Sequence, residues 1–326
     1  MTTTDPSTGT IYDIGYRHYD GPRLGRRGAV TAIVGAGLRA VFGLGRSARS
    51  KILPWGLVVL ALAPAVIAVA IRVLVGDIVE LYSYDNYLWG IGAAMIIFVA
   101  AQTPELVVND MRHRVLPLYF SRPIRRLDYV AAKLAALAAG LLALTLLPVL
   151  VLFAGRVLAA EDVVGALGDE IGALPGIIGT GVIHAVALAS LGLAISALAA
   201  RRAYAAGAVL GVFLISGVVG AIFAESGGAL ADFAPLLNPL TILDGTREWL
   251  FGGSVAESGG TLANFAPLLN PLTILDGARE WLFGGSIADS PVAQSDLPLW
   301  SYGVATAVLV LGSWAVLALR YRRITT

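Results

Sequence analysis

Six segments of this chain are apolar over roughly 20 residues or more, about the length an α-helix needs to cross the hydrocarbon layer of a bilayer. They cover residues 52–75, 88–108, 129–154, 175–199, 203–224 and 299–319. Lipid cannot hydrogen-bond a backbone amide, so such runs fold as helices whose amides are satisfied within the segment. The rest of the composition agrees. Of 326 residues, 57% are hydrophobic and only 14% charged, with mean hydropathy +0.78, where a soluble domain carries about 25% charge. The expected fold class is an all-α polytopic membrane protein with six transmembrane helices. A seventh apolar stretch, 29–44, is shorter and carries Arg39, which marks an N-terminal interfacial helix.

Basic residues orient the spans, because loops that stay in the cytoplasm are enriched in arginine and lysine. Arg17, Arg23, Arg26, Arg27, Arg39, Arg46, Arg49 and Lys51 precede span one, and Arg112, Arg114, Arg122, Arg125, Arg126 and Lys133 follow span two. Arg201 and Arg202 separate spans four and five, and Arg320, Arg322 and Arg323 follow span six. With six crossings, all four groups fall on one side. Acids occupy the other, among them Asp77, Glu80, Asp85, Glu161, Asp162, Asp169 and Glu170. Both termini are therefore expected in the cytoplasm. Residues 1–51 form a cytoplasmic tail with the interfacial helix, and 52–326 the six-span domain. Within that domain 109–128 is a cytoplasmic loop and 225–298 an extracellular one. No short apolar core with a small-residue cleavage pattern opens the chain, so span one is expected to act as the insertion signal. Arginine far outnumbers lysine, and with the richness in Ala, Gly and Val this points to a bacterial plasma membrane. There is no cysteine, hence no disulfide or thiolate chemistry.

The chain shows no energy source of its own. Ion-coupled carriers keep paired titratable groups deep in their spans. Here Arg72 and Glu105 lie near span ends, where long side chains reach the interface. His184 alone sits mid-span, as a packing residue bonded to a neighbouring helix or as a proton relay. No Gly-Lys pair exists to build a phosphate-cradling loop. The sequence GLGRSA, residues 43–48, fits G-x-G-x-x-A but follows no strand. Three histidines without cysteine make no metal cluster. The chain is expected not to be an enzyme, and no nucleic-acid partner is expected.

Residues 112–126, RHRVLPLYFSRPIRR, hold five arginines and no acid. Contact with lipid headgroups explains the arginines. It does not explain the apolar insert VLPLYF, which suits docking into a groove on a cytosolic partner. Apolar side chains would anchor there while arginines pair with carboxylates, with Pro117 and Pro123 bounding the element. This loop resembles the one between the second and third spans of ABC-2-type permeases, the membrane subunits of ATP-binding-cassette exporters. That family pattern reads acid, Arg, Leu, then Ser-Arg-Pro-x-x-Arg-x-[DE]-Tyr and Lys. Asp110, Arg114, Leu116, Ser121, Arg122, Pro123, Arg126, Asp128, Tyr129 and Lys133 stand at the matching positions. The opening YDIGYRHYDGPRLGR, residues 12–26, is similar to actinobacterial members.

The resemblance implies two permease copies, or a copy and a homologue, on two cytosolic ATPase subunits. ATP and magnesium would bind in those subunits, with no cofactor in this chain. The loop would be the coupling element, through Asp110, Arg112, Arg114, Leu116, Leu118, Tyr119, Arg122 and Arg126. The expected function is export of a hydrophobic or amphipathic compound such as a drug, lipid, glycan or peptide. A stand-alone channel or carrier, and a membrane scaffold, are the alternatives. Gly207, Gly211, Ser216 and Gly220 give span five a close-packing face, for a dimer contact or for packing within the chain.

Residues 225–256 return almost unchanged as 257–288, a tandem duplication with a 32-residue period. Each copy opens a helix with Asn-Pro and closes it with Gly-Gly. Trp249 and Trp281 are the expected headgroup-level anchors of two extracellular interfacial helices.

Overall fold

A computed structural model describes residues 21, 24–75, 84, 87, 91–226 and 300–322. The duplicated segment, with Trp249 and Trp281, lies outside the described residues. Every regular element among the described residues is helical. They are α1 (Gly25–Val41), α2 (Ala48–Val75), α3 (Gly92–Arg112), α4 (Leu116–Phe120), α5 (Arg126–Leu158) and α6 (Val163–Glu170), followed by a 3-10 turn (Ile171–Ala173), α7 (Leu174–Leu198), α8 (Arg202–Ser226) and α9 (Trp300–Arg322). The fold is all-α, as expected. Four helical stretches among the described residues are long and apolar enough to cross a membrane: α2, α3, α5 and the α6–α7 stretch. The segments read as spans five and six are α8, of 25 residues, and α9, of 23.

The helices overrun the apolar segments at their polar ends. α3 continues through Asp110 to Arg112, and α5 begins at Arg126. A helix can extend beyond hydrocarbon wherever its terminal backbone groups find partners. The G-x-G-x-x-A stretch proves to be the turn between α1 and α2. Gly43 has φ +64°, and a side chain there would also meet the Ser50 carbonyl. Leu44 N–H donates to Arg39 O (2.7 Å), closing α1 in a left-handed cap.

α5 is the central post. It packs along α1, α2 and α7, while α3 packs along α7 and α8, and α9 against α7. In lipid the hydrophobic effect gives helices little reason to associate, so close approach through small residues carries the packing. A methyl group at Gly37 would sit 2.6 Å from Ala136 Cβ, and one at Gly155 2.2 Å from Val69 Cγ2. At Gly192 of α7 it would sit 2.3 Å from Val99 Cγ1 and 2.8 Å from Thr103 Cγ2 of α3. Beside that contact Ser196 Oγ donates to Thr103 Oγ1 (2.8 Å), which donates to Val99 O (2.7 Å). These two buried hydroxyls thus find partners, as apolar surroundings require. His184 is buried, and its Nδ1 donates to Thr180 O (2.9 Å) of its own helix. The carbonyl four residues back is simply within reach.

Candidate coupling site

The segment 109–128 folds into a rigid mount carrying an exposed tip. α3 stops at a left-handed residue: Val115 N–H donates to Asp110 O (3.1 Å) and Arg114 N–H to Met111 O (3.3 Å). The residue in that conformation is Arg114, φ 51°, where glycine is the usual occupant. A non-glycine residue held there costs about 1–2 kcal/mol. α4 follows at once. Pro117 falls inside its first turn, not at its boundary, where a missing N–H does no harm. Ser121 closes α4, its N–H donating to Pro117 O and its hydroxyl to Leu118 O, both at 2.9 Å. Pro123 follows, and Arg125 N–H donates to Asp128 Oδ2 (2.9 Å) to start α5.

Tyr129 of α5 is the foundation of the mount. It is fully buried, with the rings of Tyr119, Phe120 and Tyr321 at centroid distances of 5.4, 6.2 and 5.5 Å. Its hydroxyl donates to Asp110 Oδ2 (2.7 Å), and Lys133 Nζ lies 2.7 Å from the same oxygen. Leu116 is buried as well. Burial, reinforced by the Asp110 carboxylate, pushes the Tyr119 phenol above its ordinary pKa, so it stays a neutral donor. α3, α4, α5 and α9 therefore meet at one aromatic and ionic node.

The tip faces away from that node. Leu118 is 69% exposed. Arg112, Arg114 and Arg122 are exposed too, and no carboxylate among the described residues lies within ion-pair distance of them. Between α4 and α1 opens a groove of about 470 Å³. Ala29, Ala32, Ile33 and Ala36 line one wall, and Val115, Leu118, Tyr119 and Ile124 the other. Asp110 and Arg122 supply charge of both signs at its rim. Chemically this is an apolar surface with polar groups beside it.

The sequence profile of the ABC-2 family transporter proteins matches residues 90–323, a range that holds the whole mount and every helix from α3 onward. The chain belongs to the ABC-2 transporter family. No curated protein matches it significantly.

Sequence reading placed eight residues at the coupling element of this ABC-2 permease, and the structure divides them. Arg112, Arg114, Leu118 and Arg122 form the tip, whereas Asp110, Leu116 and Tyr119 belong to the mount. Arg126 points elsewhere: its Nη1 donates to Tyr321 O and Arg322 O, both at 2.8 Å, capping α9. Arg320 does the same for α7, its Nε donating to Ala197 O (3.1 Å). Arginines at these ends thus satisfy last-turn carbonyls and the negative pole of each helix.

Two ion-pair groups escaped the sequence reading. Arg26 of α1 grips Asp128 with two bonds, of 2.7 and 2.5 Å. Glu105 does not reach for the interface; its side chain is 9% exposed. It receives Arg202 (2.5 Å), Arg46 (2.9 Å) and Asn109 Nδ2 (2.6 Å), tying the α1–α2 turn and the start of α8 to α3. A lone acid late in an apolar run was the available signal, since burial requires a partner for it. The proposed close-packing face behaves differently from the real glycine contacts. Among the described residues, a methyl at Gly207 would meet nothing within 4 Å, and at Gly211 only Ile215 of the same helix. Ser216 and Gly220 continue α8.

Proposed function

We propose that the permease exports a hydrophobic or amphipathic compound across a bacterial plasma membrane, through six spans with both termini in the cytoplasm. Two copies, or a copy and a homologue, sit on two ATPase subunits that bind ATP and magnesium. The observation that carries this reading is the fixed tip. An exposed leucine beside arginines with no carboxylate partner among the described residues stands on a mount bonded to three other helices, so force on the tip reaches those helices as a rigid-body push. The groove beside α4 accepts an apolar side chain of the ATPase, and the arginines pair with carboxylates around it. The open face of α8 at Gly207 and Gly211 supports a contact with the second copy.

Co-purification tests the coupling. Arg112→Glu with Arg114→Glu, and separately Leu118→Asp, should leave insertion intact, because these side chains are exposed. Losing a central anchor costs about 2 kcal/mol or more, roughly thirtyfold in affinity, so recovery of a co-expressed ATPase subunit should fall accordingly. Undiminished recovery and normal cargo-stimulated hydrolysis in both variants would return the loop to lipid contact.

Orientation has its own measurement. The chain lacks cysteine, so Ser121→Cys and Asp169→Cys each give one thiol, at opposite ends of α5. An impermeant maleimide should label position 169 in intact cells and position 121 only after lysis. Labelling of both in intact cells would overturn the assignment.

A further inference from the structure

We propose that α6 is a membrane anchor, with Val163, Val164, Leu167 and Ile171 set among acyl chains just beneath the headgroups of the leaflet opposite the arginine-rich end. This goes beyond the transport reading and rests only on α5 spanning the bilayer. Depth comes from α5 itself. Residues 134–155 hold no ionisable side chain and extend about 33 Å at 1.5 Å per residue, close to the roughly 30 Å of hydrocarbon. Lys133 marks one boundary and Arg156 the other. α6 begins a few residues beyond Arg156, which is headgroup depth.

Its folding makes the same demand. Asp162 caps α6 by accepting from Val164 N–H and Gly165 N–H, both at 3.1 Å. A helix of 8 residues is not stable alone in water, and α6 buries none of its residues in the protein. Val164 is 81% exposed, Ile171 53%, Val163 and Leu167 41% each. At about 100° per residue these four share one arc, with Asp169 opposite.

Glu170 fixes the roll. It accepts from Tyr84 Oη (2.6 Å) and lies 3.5 Å from Arg156, whose guanidinium sits 4.3 Å over the Tyr84 ring. Burial and the Glu170 bond push the Tyr84 phenol up, so the donor keeps its proton. With the helix pinned there, its four aliphatic side chains stay exposed, as do Leu158 at the end of α5 and Ile178 of α7. Lipid is the occupant that fits. Four aliphatic side chains fall far short of the roughly 800 Å² per partner of a stable protein interface.

The test uses nitroxides on Val164→Cys, Leu167→Cys and Asp169→Cys, reconstituted into phosphatidylethanolamine–phosphatidylglycerol vesicles. Collisions with oxygen, which concentrates in lipid, are compared with collisions with a water-soluble nickel chelate. Oxygen should dominate at 164 and 167, and nickel at 169. Nickel dominating at all three positions would put the arc in water. Low collision rates with both reagents at 164 and 167 would mean a protein covers it. Either outcome overturns the proposal.

Discussion

Asp110→Ala is expected to destabilise the permease by about 3–5 kcal/mol, the usual cost of leaving a buried charge without its partner. Lys133 Nζ would lose a carboxylate 2.7 Å away, with side-chain exposures of only 9% for the lysine and 16% for the aspartate. The Tyr129 ring lies beneath the ammonium at 5.3 Å and offers it no carboxylate in exchange. Asp110→Ala combined with Lys133→Met should regain most of the loss. Recovery would stay incomplete, because the buried Tyr129 hydroxyl also donates to Asp110 and its orphaning costs about 1–3 kcal/mol. The measurement is the monodisperse fraction in detergent after heating. A single variant as heat-resistant as the parent, or a double no better than the single, would contradict a buried pair.

Gly192→Leu should be strongly disruptive, at the upper end of the roughly 1–3 kcal/mol that overpacking costs. Its Cβ alone would enter Val99 and Thr103 side chains at 2.3 and 2.8 Å, prising α3 from α7. That movement would also break the hydroxyl bond between Ser196 and Thr103. Gly207→Leu is the contrast. A Cβ at Gly207 meets nothing within 4 Å among the described residues, so the monomer should keep its heat resistance, and any effect should appear as loss of the paired species. Equal damage to folding from both substitutions would refute the distinction.

These two positions also mark how far sequence alone reaches. Helix placement was legible to within a few residues, because a membrane admits only helices and a run of apolar residues measures its thickness. The tip was legible as well, since Leu118 among arginines has no business in water. Which glycines touch was not. Gly207 and Gly211 carry the small-residue spacing, yet the close approaches occur at Gly37, Gly155 and Gly192, where the partner comes from a distant helix. Spacing along one helix records a groove and says nothing of what fills it. The same blindness hid the Glu105 group, whose arginines come from Arg46 and Arg202. α6 escaped because its apolar residues are too few for a span and its capping aspartate was read only as negative charge.

The arginine caps place a condition on how the molecule is made. Arg126 belongs to the middle of the chain, but the carbonyls it holds belong to Tyr321 and Arg322. Ala197 likewise waits for Arg320. A ribosome delivers those partners only when α9 emerges, long after α3, α4 and α5 have been inserted. Until then the aromatic node lacks Tyr321 and the end of α7 lacks its donor. The mount that presents the tip is thus completed only by α9, and a nascent permease that has not yet made that helix holds the tip without the Tyr321 side of its aromatic node.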